Sequence, residues 1–412
     1  MSECGQDPGM LSIRDAIAAL LAASSPAPRR QTLPIGKALG RTLLQSVTAQ
    51  ADVPGHDNSA MDGYAVSLAD LAETRRLPVG STIQAGARPS ELLAGNAARI
   101  YTGAPIPTGA DAVVMQEQCD AADGYVQLPS DIKPGQNIRR AGEDVARGST
   151  VLQPGRRLRA QELGLIASVG VAEVEVAAPL KIALLTTGDE LVPAGRPLAP
   201  GQIHDSNGPM LAALVESLGF TALTPRHLPD DPALTRQYLA EAAVGADVII
   251  TTGGVSVGDA DYVKPAVEAL GELGLWKVAI KPGKPFAFGR VGDTPFIGLP
   301  GNPVSVFVTF LILARPLLMK LQGIESVDAP PEFPLPAGFT VERADRRRET
   351  FLRTRLCERN GTLWVEAYPH QGSGVLSSTC WADGLVRLKP GQTVAEGDIL
   401  PYTPMSSLLC SH

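Results

Sequence analysis

DVIITTGGVSVGDADYV, Asp247 to Val263, begins as an apolar, β-branched run and ends in glycines and carboxylates. The run reads as a buried strand. Gly253, Gly254 and Gly258 then supply backbone without a Cβ, which lets N–H groups approach a phosphate, above all where a helix N-terminus follows. Asp259 and Asp261 close the stretch. Carboxylates repel a phosphate unless a hard cation lies between them, and Mg²⁺ is the usual bridge. Glycines also serve plain strand-to-helix turns, so the stretch gains meaning only from its neighbours.

From Leu180 onward, strand-like and helix-like segments alternate: KIALLTTG, PMLAALVESLG, TALTPRHL, PALTRQYLAEAAVG, DVIITTGG, WKVAIKPGKP, FAFGR and FIGLPGNP. The alternation marks βα units on a largely parallel sheet. A buried helix is expected over Val304 to Leu321, capped by Asn302 with Pro303 in its first turn. Ligands of open parallel sheets bind beyond the carboxyl ends of the strands. Five strand ends carry unusual loops, at 186–191, 229–231, 251–261, 281–285 and 299–303. Parallel strands would bring them to one rim. Glu190, Asp230, Asp231, Asp259 and Asp261 then surround a cation site, with Asp231 and Asp261 equally readable as helix caps. Lys277 and Lys281, four positions apart, would share one face of a strand roughly 13 Å apart. With Lys284 they suggest an oxyanion site. Neither G-x-x-x-x-G-K-[ST] nor G-x-G-x-x-G occurs, which argues against an ordinary kinase or Rossmann dehydrogenase.

Upstream, Ser12 to Ala23 and Arg159 to Val169 read as helices enclosing a Gly- and Pro-rich region of short strands from about Gln45 to Asp144. In that region PGHDNSAMDGYAV, IYTGAPIPTGAD and NIRRAGEDV are polar loops, and Arg139 and Arg140 can fork onto an anion. Beyond Glu325 alternation returns, as in a small β domain. His56 and His204, each without ligand-spaced partners, read as structural, and RADRRRETFLRTR (343–355) reads as a solvated strand face. A net charge of −7 speaks against a broad nucleic-acid surface. Five scattered cysteines without a C-x-x-C pair indicate neither a disulfide framework nor zinc. No basic and apolar leader opens the chain, and its most apolar run, 304–314, is about half a membrane span. A cytoplasmic location without membrane or nucleic-acid partners is expected.

Taken together, DNSAMDGYAV, RIYTGAPIPTGADAVV, IRRAGEDV, TTGDEL, GQIHDSN, TTGGVSVGDADYV, KPGKPFAFG and LPGNPVSV resemble the molybdopterin molybdenumtransferase family, the MoeA type also found as the E domain of gephyrin. They occur in family order over nearly the whole chain. The resemblance implies a multidomain α/β and β protein. Its parts would be a helical linker domain (1–45 plus 146–178), an inserted β-rich domain (46–145), a three-layer α/β molybdopterin-binding domain (179–326) and a C-terminal β-barrel (327–412). It implies a homodimer and Mg²⁺-dependent insertion of molybdate into adenylylated molybdopterin with release of AMP. A separate molybdopterin adenylyltransferase would supply that substrate in a transient contact. By matching positions, Asp62, Glu190, Asp230, Asp261, Lys277 and Lys281 would be catalytic, with Glu190, Asp230 and Asp261 on the metal. Thr102, Asp144, Gly253, Gly254, Ser256, Gly258, Lys284, Pro300 and Ser373 would bind the pterin substrate. His204 stands where the family can carry an aromatic. The competing readings are a pterin adenylyltransferase and a non-catalytic gephyrin-like scaffold.

Overall fold

The computed structural model describes residues 10–26, 28–88, 90–254, 262–327 and 329–409. At its centre is a mixed eight-stranded sheet, whose path runs Met10–Leu11, Gly271–Val278, Pro285–Val291, Thr294–Leu299, Val248–Thr252, Lys181–Thr187 and Thr221–Ala222, with Arg226–Leu228 also on Lys181–Thr187. The strands Lys181–Thr187, Arg226–Leu228, Val248–Thr252 and Thr294–Leu299 are mutually parallel. Pro285–Val291 runs antiparallel to both its neighbours, so Gly271–Val278 points the same way as the parallel set. The described residues of the loops read from the sequence, which for 251–261 are 251–254, therefore lie at one edge of the sheet.

Apolar residues cover both faces. Leu184, Ile250 and Ile297 pack with helix Asn207–Ser217 and the long helical segment after Pro303, while Leu185, Ile249 and Phe296 pack with Leu239 and Val267 of helices Pro232–Gly245 and Val263–Leu270. The segment Pro303–Leu321 is the one described helix long and apolar enough to cross a membrane, and 89% of its apolar window is buried within the protein. It passes Arg315 and Pro316 through a π turn at Phe310–Ala314, a wider winding that absorbs the backbone bond proline cannot make.

Three expectations change here. TALTPRHL splits into Thr221–Ala222 and Arg226–Leu228 around Pro225, which has no N–H for the ladder. WKVAIK also divides: Gly271–Val278 belongs to the central sheet, whereas Ile280–Lys281 pairs with Glu349–Thr350 of a separate six-stranded C-terminal sheet. Lys277 and Lys281 thus share no strand face. Residues 10–22, grouped above with the linker, pack into the α/β unit: Met10 and Leu11 pair with Lys277 and Val278, and Ile13, Ala16 and Leu20 join its core. Ser12 caps that helix, its hydroxyl accepting the Asp15 N–H at 3.1 Å.

The two linker stretches do meet. Leu43, Val47, Leu158, Ile166 and Val176 form one cluster, and Arg30–Pro34 pairs with Glu173–Ala177. Between them the inserted region folds as its own six-stranded sheet over Tyr64, Val66, Leu77 and Val114. At the start of the linker helix Ala160–Ser168, Glu162 is 3% exposed and accepts bonds from the Arg159 amide (3.0 Å), the Arg159 guanidinium (2.8 Å) and the Arg156 guanidinium (2.8 Å). Arg159 above all, aided by Arg156 and opposed by burial, holds its carboxyl down to about 2. The folded value lies below the ordinary 4.5, so this contribution to stability is complete above that pH and disappears as pH falls toward 2. We expect Glu162→Gln to cost about 2 kcal/mol at neutral pH and to flatten the acid loss of stability over that window. Melting curves from pH 2 to 7 check both outcomes, and a variant with the wild-type acid profile contradicts them.

Candidate active site

A cavity of about 650 Å³ opens at the carboxyl edge of the central sheet. Its walls include Glu190, His204, Asn207, Asp230, Gly253 and Asn302. Glu190, His204 and Asn207 come from the connection after Lys181–Thr187, and Asp230, Gly253 and Asn302 from those after Arg226–Leu228, Val248–Thr252 and Thr294–Leu299. Glu190 sits in the turn after Lys181–Thr187. That turn is fixed from two sides: the His227 ring nitrogen Nε2 donates to Gly188 O at 2.9 Å, and the Asp230 amide donates to Asp189 Oδ1 at 3.0 Å. Gly188 has φ +120°, and a Cβ there would collide with the Glu190 carboxylate. The positive φ favours glycine, and any larger residue would also displace the Glu190 carboxylate.

Asp231, not Asp230, caps helix Pro232–Gly245, accepting the Leu234 N–H at 2.8 Å. Asp230 remains at the cavity wall. Gly253 and Gly254, with φ of +81° and +67°, also line it. The Gly253 N–H, however, donates to Leu299 O at 3.0 Å, so that group extends the ladder rather than cradling an anion. Asn302 stands at the start of the Pro303 helix without a side-chain capping bond. The Val304 N–H is met instead by Ser373 O at 3.0 Å, which places the C-terminal loop 370–374 against the cavity, with Gly374 in its lining.

How that loop is held is not legible in any local pattern. Arg353, expected on a solvated strand face, is 1% exposed and donates to the Ser378 hydroxyl (3.0 Å), Phe351 O and Gly372 O. Gln371 clasps the same strand through the Arg353 backbone. Burial pushes the Arg353 guanidinium down to about 10. His204 likewise departs from a structural role, since it is exposed and faces the cavity. Lys277, Lys281 and Lys284 do not line it; Lys281 lies 3.9 Å from Asp345, which Arg348 binds at 2.6 Å. Pro300 is buried beside Gly283. Ser256, Gly258, Asp259 and Asp261 lie outside the described residues.

In the inserted region, Asp62 and Thr102 meet directly: the Asp62 carboxylate accepts the Thr102 amide (2.7 Å) and hydroxyl (2.8 Å). These two bonds hold its carboxyl below the ordinary range. Arg140 is committed to Asp57, and the Asp144 amide donates to Val53 O. No described residue of 46–145 lines the strand-end cavity.

Among the described residues no three His, Cys, Asp or Glu side chains form a ready metal cage. Mg²⁺ does not require one, since it is commonly held by one or two carboxylates together with phosphate oxygens and water. Glu190 and Asp230, acidic and at the cavity wall, fit that manner of binding.

Comparison with known proteins places this architecture. Residues 11–170 match the MoeA N-terminal region (domain I and II), 183–320 a probable molybdopterin binding domain, and 340–405 the MoeA C-terminal region (domain IV). The molybdopterin molybdenumtransferase of Haemophilus influenzae is 40% identical over 380 residues, covering 92% of this chain and 94% of the relative. That of Synechococcus elongatus is 37% identical over 393 residues, 90% and 95% of the two chains. A crystal structure of the molybdopterin biosynthesis MoeA protein from Pyrococcus horikoshii superposes with a TM-score of 0.78 at 30% identity, over 96% of this chain and 99% of that one. The fold is thus that of a multidomain protein built around a molybdopterin-binding type of α/β domain. The chain belongs to the molybdopterin molybdenumtransferase family, a family of transferases.

The Gly188 turn provides a direct probe of the cavity. Gly188→Ala adds a methyl where the Glu190 carboxylate lies and strains the backbone by about 1–2 kcal/mol. We expect turnover to fall on the order of 100-fold while the cooperative melt persists. Kinetics and melting on the same preparation check this, and wild-type turnover would show that the position of Glu190 is immaterial.

Proposed function

We propose that the chain inserts molybdate into the dithiolene of adenylylated molybdopterin, releasing AMP in a Mg²⁺-dependent reaction. The observation that carries this reading is the convergence of Glu190, Asp230 and the glycine turns on one strand-end cavity, in a chain whose relatives bear the name of that transfer. Bound Mg²⁺ would neutralise charge on the substrate phosphates. Glu190 and Asp230 hold it in this reading, and the turn fixed by His227 and Asp189 sets where the Glu190 carboxylate stands. Lys277, Lys281 and Lys284 attract molybdate from the adjoining edge, with Asp345 and Arg348 setting the position of Lys281. A separate adenylyltransferase supplies the substrate in the cytoplasm.

The inference extends to assembly. Asp62 and Thr102 form a paired unit away from the cavity lining, and a symmetric homodimer would set one subunit's inserted region over its partner's cavity. The C-terminal sheet closes as a barrel in this reading, supported by the bridge between Ala337 and Val365 that joins its outer strands.

The decisive assay follows AMP release from adenylylated molybdopterin with and without molybdate. Molybdate-stimulated release supports the transferase; a scaffold releases none, and an adenylyltransferase consumes ATP instead. Glu190→Gln should slow release about 100-fold without unfolding the protein, and unchanged release at limiting Mg²⁺ contradicts its role. For the dimer, Asp62→Ala and Glu190→Ala chains, each inactive alone, should regain activity when co-assembled. Verified mixed dimers no more active than either parent would refute a shared site.

A further inference from the structure

The cavity wall contains a polar atom to which the fold gives no partner. Asn207 opens the helix Asn207–Ser217 and is only 7% exposed. Its Nδ2 donates to Gly301 O at 2.7 Å and lies 3.4 Å from Thr252 Oγ1. A carbonyl can only accept, so this bond fixes the orientation of the amide. The other end of the amide, Oδ1, is therefore committed as an acceptor, and it is buried without a hydrogen bond. The backbone is equally constrained, with the Asn207 and Gly208 amides both donating to Asp205 Oδ1 at 3.0 Å. Buried side-chain acceptors are nearly always paired in native proteins, and an exception calls for a specific cause. Asn58 Oδ1, Thr251 Oγ1 and Arg315 Nε are also unpaired among the described residues, but of the four only Asn207 lines the cavity.

The remainder of the described lining points to the same kind of ligand. Its charged side chains are Glu190, Asp205 and Asp230, with no lysine or arginine among them. Such a wall is rich in acceptors, which suits the donor-bearing edge of a planar nitrogen ring.

We infer that Asn207 Oδ1 receives an N–H from the heterocycle bound in this cavity, making Asn207 a specificity-determining residue. The inference rests on the proposal that adenylylated molybdopterin binds here. Both of its rings carry the required chemistry, the pterin through its 2-amino group and the adenine through its 6-amino group.

The test measures affinities of molybdopterin, AMP and pyrophosphate for the full-length wild type and Asn207→Ala by calorimetry, with melting curves on both. We expect one ring ligand to weaken about tenfold while pyrophosphate is unchanged, and the affected ligand identifies the ring. Unchanged affinity for both rings shows that Oδ1 takes no part in ring recognition and overturns the inference. An equal loss for all three ligands marks general distortion and overturns it as well. A second arm uses wild-type protein alone, so it holds even where the variant fails to fold. A 2-desamino pterin against its parent, and purine riboside monophosphate against AMP, should reveal one loss of similar size, whereas no loss for either pair contradicts donor recognition. Wild-type protein that binds neither ring refutes the proposed function itself, an outcome distinct from binding that is indifferent to Asn207.

Discussion

The parallel ladder across Lys181–Thr187, Val248–Thr252 and Thr294–Leu299 is the constraint from which the site follows. Its registers, Ile182 opposite Val248 and Ile249 opposite Phe296, point alternate side chains into two separate cores. A slip of one residue would exchange those faces and set side chains of the wrong shape against both close-packed cores. Register is therefore held by burial, and with it the height at which each strand stops. The turns carrying Glu190, Gly253 and Asn302 end level with one another because the cores beneath them allow no other alignment.

Within that frame the cavity is a shared construction. The α/β unit supplies the acidic wall, and the C-terminal unit supplies the carbonyl that meets the first turn of the Pro303 helix. Ile280–Lys281 crosses in the opposite sense, leaving the central sheet to join the C-terminal one. These two exchanges tie the loop 370–374 and the lysine-bearing linker to the same edge. A wall of carboxylates that must receive a phosphate is electrostatically unfavourable by itself. In the proposed reaction it would therefore act with a cation held by Glu190 and Asp230, and with basic groups outside the cavity lining.

Much of this was legible in the sequence. Strand and helix periods between Leu180 and Leu321 sufficed to define the α/β unit, and the strand-end rule selected Glu190, Asp230, Gly253 and Gly254 as neighbours before any coordinates. The failures have local causes. Pro225 broke one strand, and the run from Trp276 to Lys281 looked continuous because its residues suit a strand on either side of Ala279, although the two halves join different sheets. Asn302 was read as a cap because its residue type and position were right; the donor was met from a segment some seventy residues later, which no local pattern encodes. Arg353 was misjudged for a similar reason. Lying in an arginine-rich run, it gave no sign that the Gly372 carbonyl of a distant loop and the Ser378 hydroxyl would accept from its guanidinium.

The central claim is that one strand-end cavity receives the adenylylated pterin. Its most direct test is a crystal structure of the protein with that molecule bound. We predict ligand density bounded by Thr187, Asp230 and Asn302, with its phosphates toward Glu190. Density confined to another site, such as the groove lined by Arg156, Arg157 and Glu325, with the strand-end cavity holding solvent alone, would contradict the account.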